Sequence, residues 1–124
     1  TWNIKFAGDR IRFFYQCDGE RVHMQRREVV DHLEGIARKI RQTDPDVLFL
    51  QEVDVDSKRS AYVDQVDWLL RHTDLSHAVY ASQWNVPYVP KKWLGPVDSG
   101  NAILTKWPLD RARRIALPLI AEQG

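Results

Sequence analysis

A glutamine–glutamate pair directly follows an apolar run whose length suits a β-strand. Residues 47–50 are continuously apolar, which is typical of a strand buried on both faces, and Gln51 and Glu52 come next. An ionised carboxylate close to a core is costly unless something offsets its charge. A divalent cation would make this position chemically active, whereas a salt bridge would make it structural. The apolar run alone leaves both interpretations of Glu52 open.

Two further segments carry polar residues in a recognisable order around this strand. The chain opens with Thr1-Trp2-Asn3-Ile4, and residues 99–109 read Ser-Gly-Asn-Ala-Ile-Leu-Thr-Lys-Trp-Pro-Leu. With the Gln51-Glu52 strand end between them, these segments resemble the endonuclease/exonuclease/phosphatase superfamily. That superfamily includes DNase I, the apurinic endonucleases, neutral sphingomyelinases and inositol polyphosphate phosphatases. The resemblance implies an α/β (α+β) fold, the DNase I-like two-sheet β-sandwich with flanking helices.

The resemblance also implies roles for three residues. Glu52 would be a catalytic residue and the metal ligand, with Mg²⁺ as the cation and Mn²⁺ as an alternative, because hard cations prefer carboxylate oxygen. Asn3, the second catalytic residue, would lie beside Glu52 and orient the phosphate or the water around the metal. Asn101 would bind the phosphate, since its strand would pack beside that of Glu52. The alternative is that the Asn101 side chain forms hydrogen bonds with backbone groups at the start of its strand.

Some branches of the family, notably the apurinic endonucleases, carry an Asp two residues after this Asn. This chain has Lys5 at that position, which argues against an apurinic endonuclease.

A cationic pair follows the acidic end of the same strand. Ser60 is predicted to cap a helix, and a helix N-terminus beside Lys58 and Arg59 is suited to an anion. Arg59 is therefore a predicted phosphate-binding residue, since a guanidinium can contact a phosphate through two hydrogen bonds. Pairing of Arg59 with Asp54 or Asp56 is equally consistent with the sequence. The two aspartates are more typical of a solvated acidic loop than of a second metal site.

Residues 1–124 contain only the first half of the family's catalytic pattern. The Asp-x-Asn pair and the terminal Ser-Asp-His of that pattern do not occur in this sequence. We therefore expect residues 1–124 to be the N-terminal part of a single domain, inactive alone, with the general-base His in a C-terminal half outside the chain.

The activity implied by the resemblance is divalent-metal-dependent hydrolysis of phosphoester bonds by attack of water on phosphorus. The substrate would be a nucleic acid, a phospholipid or an inositol phosphate, since all of these suit the fold. The alternative function is that of a non-catalytic module that binds phosphate or nucleic acid.

Composition excludes several other classes of protein. The 124 residues are 44% hydrophobic and 28% charged, which is ordinary for a globular domain. The net charge of +1 lacks the strong positive charge of a dedicated nucleic-acid binder. Cys17 is the only cysteine and cannot form an internal disulfide. No apolar run is long enough to predict a transmembrane segment, and the oligomeric state is left open.

Periodicity and turn residues predict the remaining elements. Apolar residues at three- and four-residue steps predict a helix over residues 25–43, and a second helix begins at Ser60. The segment 82–96 is predicted to be a loop, whose Trp84, Trp93 and neighbouring lysines either stack on nucleic-acid bases or pack on one another. The predicted strands are residues 1–6, 11–15, 47–53, 77–81, 101–105 and 114–117.

Overall fold

The computed structural model describes residues 1–118, and a four-stranded sheet lies at its centre. The strands are β1 (Trp2–Asn3), β2 (Val47–Asp54), β3 (His77–Val89) and β4 (Gly95–Thr105), in the spatial order β1-β2-β4-β3. β1 is parallel to β2, whereas the other neighbouring pairs are antiparallel. Strands and helices are mixed along the chain, which confirms the predicted α/β class. The two-sheet sandwich stays a prediction, because residues 1–118 contribute to this sheet alone.

The first helix forms where the apolar periodicity predicts it. Helix α1 spans Arg26–Thr43, and its buried residues are Val29, Leu33, Ile36, Ala37 and Ile40. At its start, the Gln25 backbone N–H donates to Glu28 Oε1 over 3.0 Å, which satisfies one of the free N–H groups of the first turn. At its end, Asp44 adopts a left-handed conformation (φ 45°) directly before Pro45, which cannot continue a helix.

The second helix begins later than the sequence predicts. Helix α2 spans Gln65–His72, and its N-cap is Asp64, whose side chain accepts a hydrogen bond from the Asp67 N–H over 2.9 Å. The prediction that Ser60 starts this helix is wrong. Ala61 and Tyr62 both have φ of 57°, a left-handed conformation that interrupts a right-handed helix. Neither α1 nor α2 combines the length and apolar character needed to cross a membrane.

The predicted loop over residues 82–96 is largely a β-hairpin. β3 continues through Val89 and β4 starts at Gly95, with a short 3₁₀ turn at Lys91–Trp93 between them. Proline is rare in central strands because it lacks an N–H donor, but Pro87 lies in β3 at the edge of the sheet, where it is tolerated. The prediction of a loop is wrong because pairing with β4 outweighs the low strand preference of the prolines.

Three other predicted strands are shortened or absent. The first covers only Trp2–Asn3, because residues 5–7 form a 3₁₀ turn in which every φ is positive. Residues 11–15 contribute a single bridge, from Phe13 to Arg21, and residues 114–117 are irregular and exposed. Short apolar runs without a partner strand do not form sheet, which explains why these predictions are wrong.

The hydrophobic core lies between the helices and one face of the sheet. Along β2, Leu48 and Leu50 are buried, whereas Val47 and Phe49 are 45% and 48% exposed. Alternate side chains of a strand point to opposite faces, so Val47, Phe49 and, on β4, Ile103 share the second face, called here the open face. The prediction that residues 47–50 are buried on both faces is wrong within the described part of the chain.

Candidate active site

Asn3 and Glu52 meet at the ends of two parallel strands. β1 pairs with β2 in the register Trp2 to Leu50 and Asn3 to Gln51. Asn3 Nδ2 donates a hydrogen bond of 2.9 Å to Glu52 Oε1. Both side chains are exposed, so this carboxylate is open to solvent and ligands. The predicted proximity of these two residues is confirmed, and their chemical roles stay predictions.

A β-bulge turns Glu52 out of the regular strand. Leu50 pairs with Ala102 and Val53 with Gly100, so Gln51 and Glu52 together oppose the single residue between those partners. Glu52 has φ of 54°, which a non-glycine residue adopts only when its surroundings hold it there. Bulges change the direction of a side chain relative to the strand. The bulge therefore explains how Glu52 reaches Asn3 from a strand whose neighbouring residues point into the core.

The Asn3 amide has one defined orientation. Its Oδ1 accepts a hydrogen bond of 2.9 Å from the Lys5 backbone N–H. A backbone N–H can only donate, so the amide oxygen must face Lys5 and the amide nitrogen must face Glu52. Asn3 thus orients one oxygen of the Glu52 carboxylate without adding charge to it.

An ion pair lies buried beside this exposed carboxylate. Arg59 Nε and Nη2 each donate to the Asp54 carboxylate over 2.9 Å, and Ser60 Oγ donates to Asp54 Oδ2 over 2.8 Å. Asp54 is fully buried and Arg59 is 6% exposed. The guanidinium also lies 3.7 Å from the centre of the Phe6 ring. The alternative in which Arg59 pairs with Asp54 is therefore the one observed, and the expected solvated acidic loop is wrong for Asp54.

The side chains of Glu52 and Arg59 line a common cleft of about 940 Å³. Phe14 and Tyr15 lie on its wall, as does Trp84 of β3. Lys91 Nζ lies 5.9 Å from the centre of the Phe14 ring, which brings the hairpin end close to this wall. Of the predicted aromatic-basic segment, Trp84 and Lys91 line the cleft, whereas Trp93 is 74% exposed.

Tyr15 stays protonated in this cleft at neutral pH. Burial raises the pKa of Tyr15 to about 12, the nearby Arg59 opposes this rise, and the carboxylates of Glu52 and Asp54 add to it. A phenol that keeps its proton can donate a hydrogen bond to an anionic ligand. Tyr15 is a cleft residue that the sequence did not predict, since no motif or periodicity distinguishes it.

Asn101 lies outside the cleft, although its strand is where the resemblance implied. It opposes the Glu52 bulge across the β2–β4 ladder, and its exposed side chain lines a separate groove with Phe49 and Ile103 on the open face. Side-chain alternation along β4 buries Ala102 and Leu104 toward the helices and directs Asn101 to the other side. The prediction that the Asn101 amide enters the site of Glu52 is not supported by this geometry.

The residues around Glu52 suit a sparsely ligated hard cation. Among residues 1–118 no group of three or more His, Cys, Asp or Glu side chains is arranged to hold a metal ion. Mg²⁺ retains several waters and is bound through one or two carboxylates plus substrate phosphate. One exposed carboxylate whose partner is a neutral amide meets that requirement. Glu52 is thus the residue of the cleft that would hold Mg²⁺.

Comparison with known proteins gives a match at the level of the family. The profile of the endonuclease/exonuclease/phosphatase family matches residues 1–120, nearly the whole chain. Searches of curated proteins and of solved structures returned no match. Hydrolysis of phosphoester bonds is the general activity of the matched family. On the match over residues 1–120, the chain belongs to the endonuclease/exonuclease/phosphatase family.

Proposed function

We propose that this protein is a Mg²⁺-dependent hydrolase of phosphoester bonds, with Mn²⁺ as an alternative cation, and that Glu52 is its metal ligand. The observation that carries the proposal is the hydrogen bond from Asn3 Nδ2 to Glu52 Oε1 at the ends of two parallel strands. In open α/β sheets, ligands commonly bind outside the carboxyl ends of parallel strands. The family match supports the reaction type, and the cation rests on the chemistry of the carboxylate.

In this proposal, each side chain of the cleft has a separate role. Mg²⁺, when bound, supplies Lewis acidity to a phosphoryl oxygen and stabilises charge on the leaving oxygen. Glu52 contributes the carboxylate, and Asn3 keeps one of its oxygens oriented. Tyr15 donates a hydrogen bond to the phosphate from its protonated phenol. Arg59 contributes positive potential from the cleft wall, because Asp54 already accepts two of its hydrogen bonds.

The proposal includes a second part of the domain. By the family resemblance, the general base would be the His of a Ser-Asp-His segment, and a second sheet would pack on the open face. The exposed Val47 and Phe49 support a covered open face, since apolar surface of this kind is stabilised by burial. Nucleic acids, phospholipids and inositol phosphates are the substrate classes to be compared, because each presents a phosphoester to the cleft.

A non-catalytic phosphate-binding or nucleic-acid-binding module is the second candidate. Two observations favour it. Among the described residues, Glu52 is the one carboxylate that lines the cleft, and Asp54 is paired with Arg59 and so is not available to a cation. Such a module would bind a phosphate ligand through the same cleft without turnover. Hydrolysis and binding therefore have to be measured on the same protein.

Substitution of Glu52 in the full-length protein tests the proposed function. Glu52→Gln keeps the shape and the acceptor for Asn3 but removes the charge that attracts Mg²⁺. Hydrolysis of bis-p-nitrophenyl phosphate with added Mg²⁺ should fall by about 10²–10⁴-fold, because charge stabilisation at the reacting phosphorus is usually a large term. The melting temperature should change little, since Glu52 is exposed.

Glu34→Gln is the matched control, because Glu34 is an exposed glutamate on α1 outside the cleft. Its turnover should equal that of the wild type. Near-normal hydrolysis by Glu52→Gln would show that Glu52 is structural. Phosphate binding without any turnover in the wild type would favour the non-catalytic module.

A further inference from the structure

The turn that follows Asn3 is strained and is held by other elements. Lys5, Phe6 and Ala7 have φ of 49°, 44° and 59°, so three successive residues lie in the left-handed region. Residues other than glycine rarely adopt that region, because the Cβ atom comes too close to the following carbonyl oxygen. Such a run persists only when neighbouring groups stabilise it. The Phe6 carbonyl accepts a hydrogen bond of 2.8 Å from Gln65 Nε2, and the Ala7 carbonyl is 2.6 Å from His32 Nδ1.

Gln65 is also bonded to the strand that carries Glu52. Its Oε1 accepts a hydrogen bond of 3.1 Å from the Asp54 backbone N–H. Both contacts define the amide orientation, because a carbonyl only accepts and a backbone N–H only donates. The side chain is fully buried, and both of its polar ends are paired. A buried amide of this kind has little freedom to move without breaking a hydrogen bond.

Each backbone group that Gln65 binds lies shortly after one residue of the proposed site. Phe6 is three positions after Asn3, and Asp54 is two positions after Glu52. The chain after Asn3 forms the left-handed turn, and the chain at Glu52 forms the β-bulge. Neither segment therefore has regular strand geometry. The Gln65 side chain therefore bridges the strained turn beside Asn3 and the end of the Glu52 strand.

We propose that Gln65 is a positioning residue that holds Asn3 and Glu52 at hydrogen-bonding distance by joining the turn after β1 to the end of β2. The inference rests on the proposed function, since it concerns the same site. Gln65 contacts neither the cleft nor the Glu52 carboxylate, and it acts through the backbone of Phe6 and Asp54. Outer partners that orient a metal ligand commonly change metal affinity or activity by about 10–100-fold when they are removed.

The variant Gln65→Met tests this role in the full-length protein. Methionine has nearly the same length but makes neither hydrogen bond, so the turn and the strand end lose their connection. The Mg²⁺ concentration for half-maximal hydrolysis should rise about tenfold or more, whereas KM for the phosphodiester should change less. Destabilisation alone would not raise the Mg²⁺ requirement of the folded molecules.

Leu75→Ala is the control for destabilisation. Leu75 is buried near the opposite end of the sheet, where the adjacent Ser76 N–H donates to Thr105 and Thr105 pairs with Val47. This variant should lower the melting temperature without changing the Mg²⁺ dependence. An equal Mg²⁺ dependence for Gln65→Met, Leu75→Ala and the wild type would overturn the proposal.

Side-chain amide resonances give a second test that needs no activity. Asn3→Ala removes an exposed side chain and should fold, so it provides the reciprocal measurement. In this variant the Gln65 amide resonances should shift, whereas those of Gln42, exposed on α1, should not. Unchanged Gln65 resonances would overturn the coupling of the two residues. A wild type that hydrolyses no phosphodiester while the Gln65 resonances still shift would reject the proposed function and support the bridge.

Discussion

At the scale of residues, Glu52 and Asp54 show how differently two nearby carboxylates can be used. Glu52 is exposed and accepts one hydrogen bond from a neutral amide. Asp54 is fully buried and accepts two from Arg59 and one from Ser60. A buried carboxylate whose charge is balanced by a guanidinium is inaccessible to a cation from solvent, whereas an exposed carboxylate is accessible. Glu52 belongs to the β-bulge, whereas Asp54 lies after it, where β2 is again paired in register with β4.

The buried ion pair gives a prediction about stability. Asp54→Asn removes the charge that balances Arg59, and a buried cation without its partner costs about 3–5 kcal/mol. The free energy of unfolding, measured by denaturant titration of the full-length protein, should fall by that amount. Asp44→Asn is the control, because the Asp44–Lys106 pair is largely exposed on its acidic side and should contribute much less to stability than the buried pair. Equal effects of the two substitutions would contradict the importance of burial.

At the scale of elements, helix α1 carries its own start signal. Glu28 Oε1 accepts hydrogen bonds from the Gln25 backbone and from Arg21 Nη2, at 3.0 Å and 2.5 Å. These contacts, first that with Arg21 and then that with Gln25, hold the pKa of Glu28 below its ordinary value of 4.5. A carboxylate near the first turn also interacts favourably with the helix dipole. The start of α1 is therefore stabilised by the ionised form of Glu28.

The stability of α1 should depend on pH through this glutamate. Because the pKa is lowered on folding, the contribution of Glu28 is complete above the unfolded pKa and is lost as the pH falls through the folded pKa. Glu28→Gln should lower the free energy of unfolding by about 0.5–1 kcal/mol at pH 7. Thermal melts should show this difference shrinking below pH 4.5. Glu34→Gln, which replaces an exposed glutamate of the same helix, is the matched control.

At the scale of the whole molecule, the sheet has one covered face and one open face. The open face exposes Val47 and Phe49, and apolar surface of this kind promotes association. A protein consisting of residues 1–124 should therefore self-associate. Phe49→Thr should shift its light-scattering mass toward the monomer, whereas Tyr88→Thr, which removes an exposed aromatic residue from the hairpin, should not. A monodisperse wild-type monomer would contradict this expectation.

The sequence alone was enough to predict helix α1, strand β2 and the proximity of Asn3 and Glu52. The first two follow from apolar periodicity and from Pro45, which act over a few neighbouring residues. The third followed from the resemblance of short motifs to a family. The long hairpin was not predicted because pairing between β3 and β4 outweighs the low strand preference of its prolines.

Only the tertiary structure decided which polar groups became partners. Arg59 had Asp54, Asp56 and a phosphate as candidate partners in the sequence, and burial beside Phe6 selected Asp54. Asn101 shares a motif with the family, yet strand alternation directs it to the open face. Gln65 carries no signal in the sequence, because the groups that it joins are 59 and 11 positions away along the chain. Which polar groups form hydrogen bonds depends on distances that are set only by folding. Periodicity and capping involve residues close together in the sequence, so they can be recognised in the sequence alone.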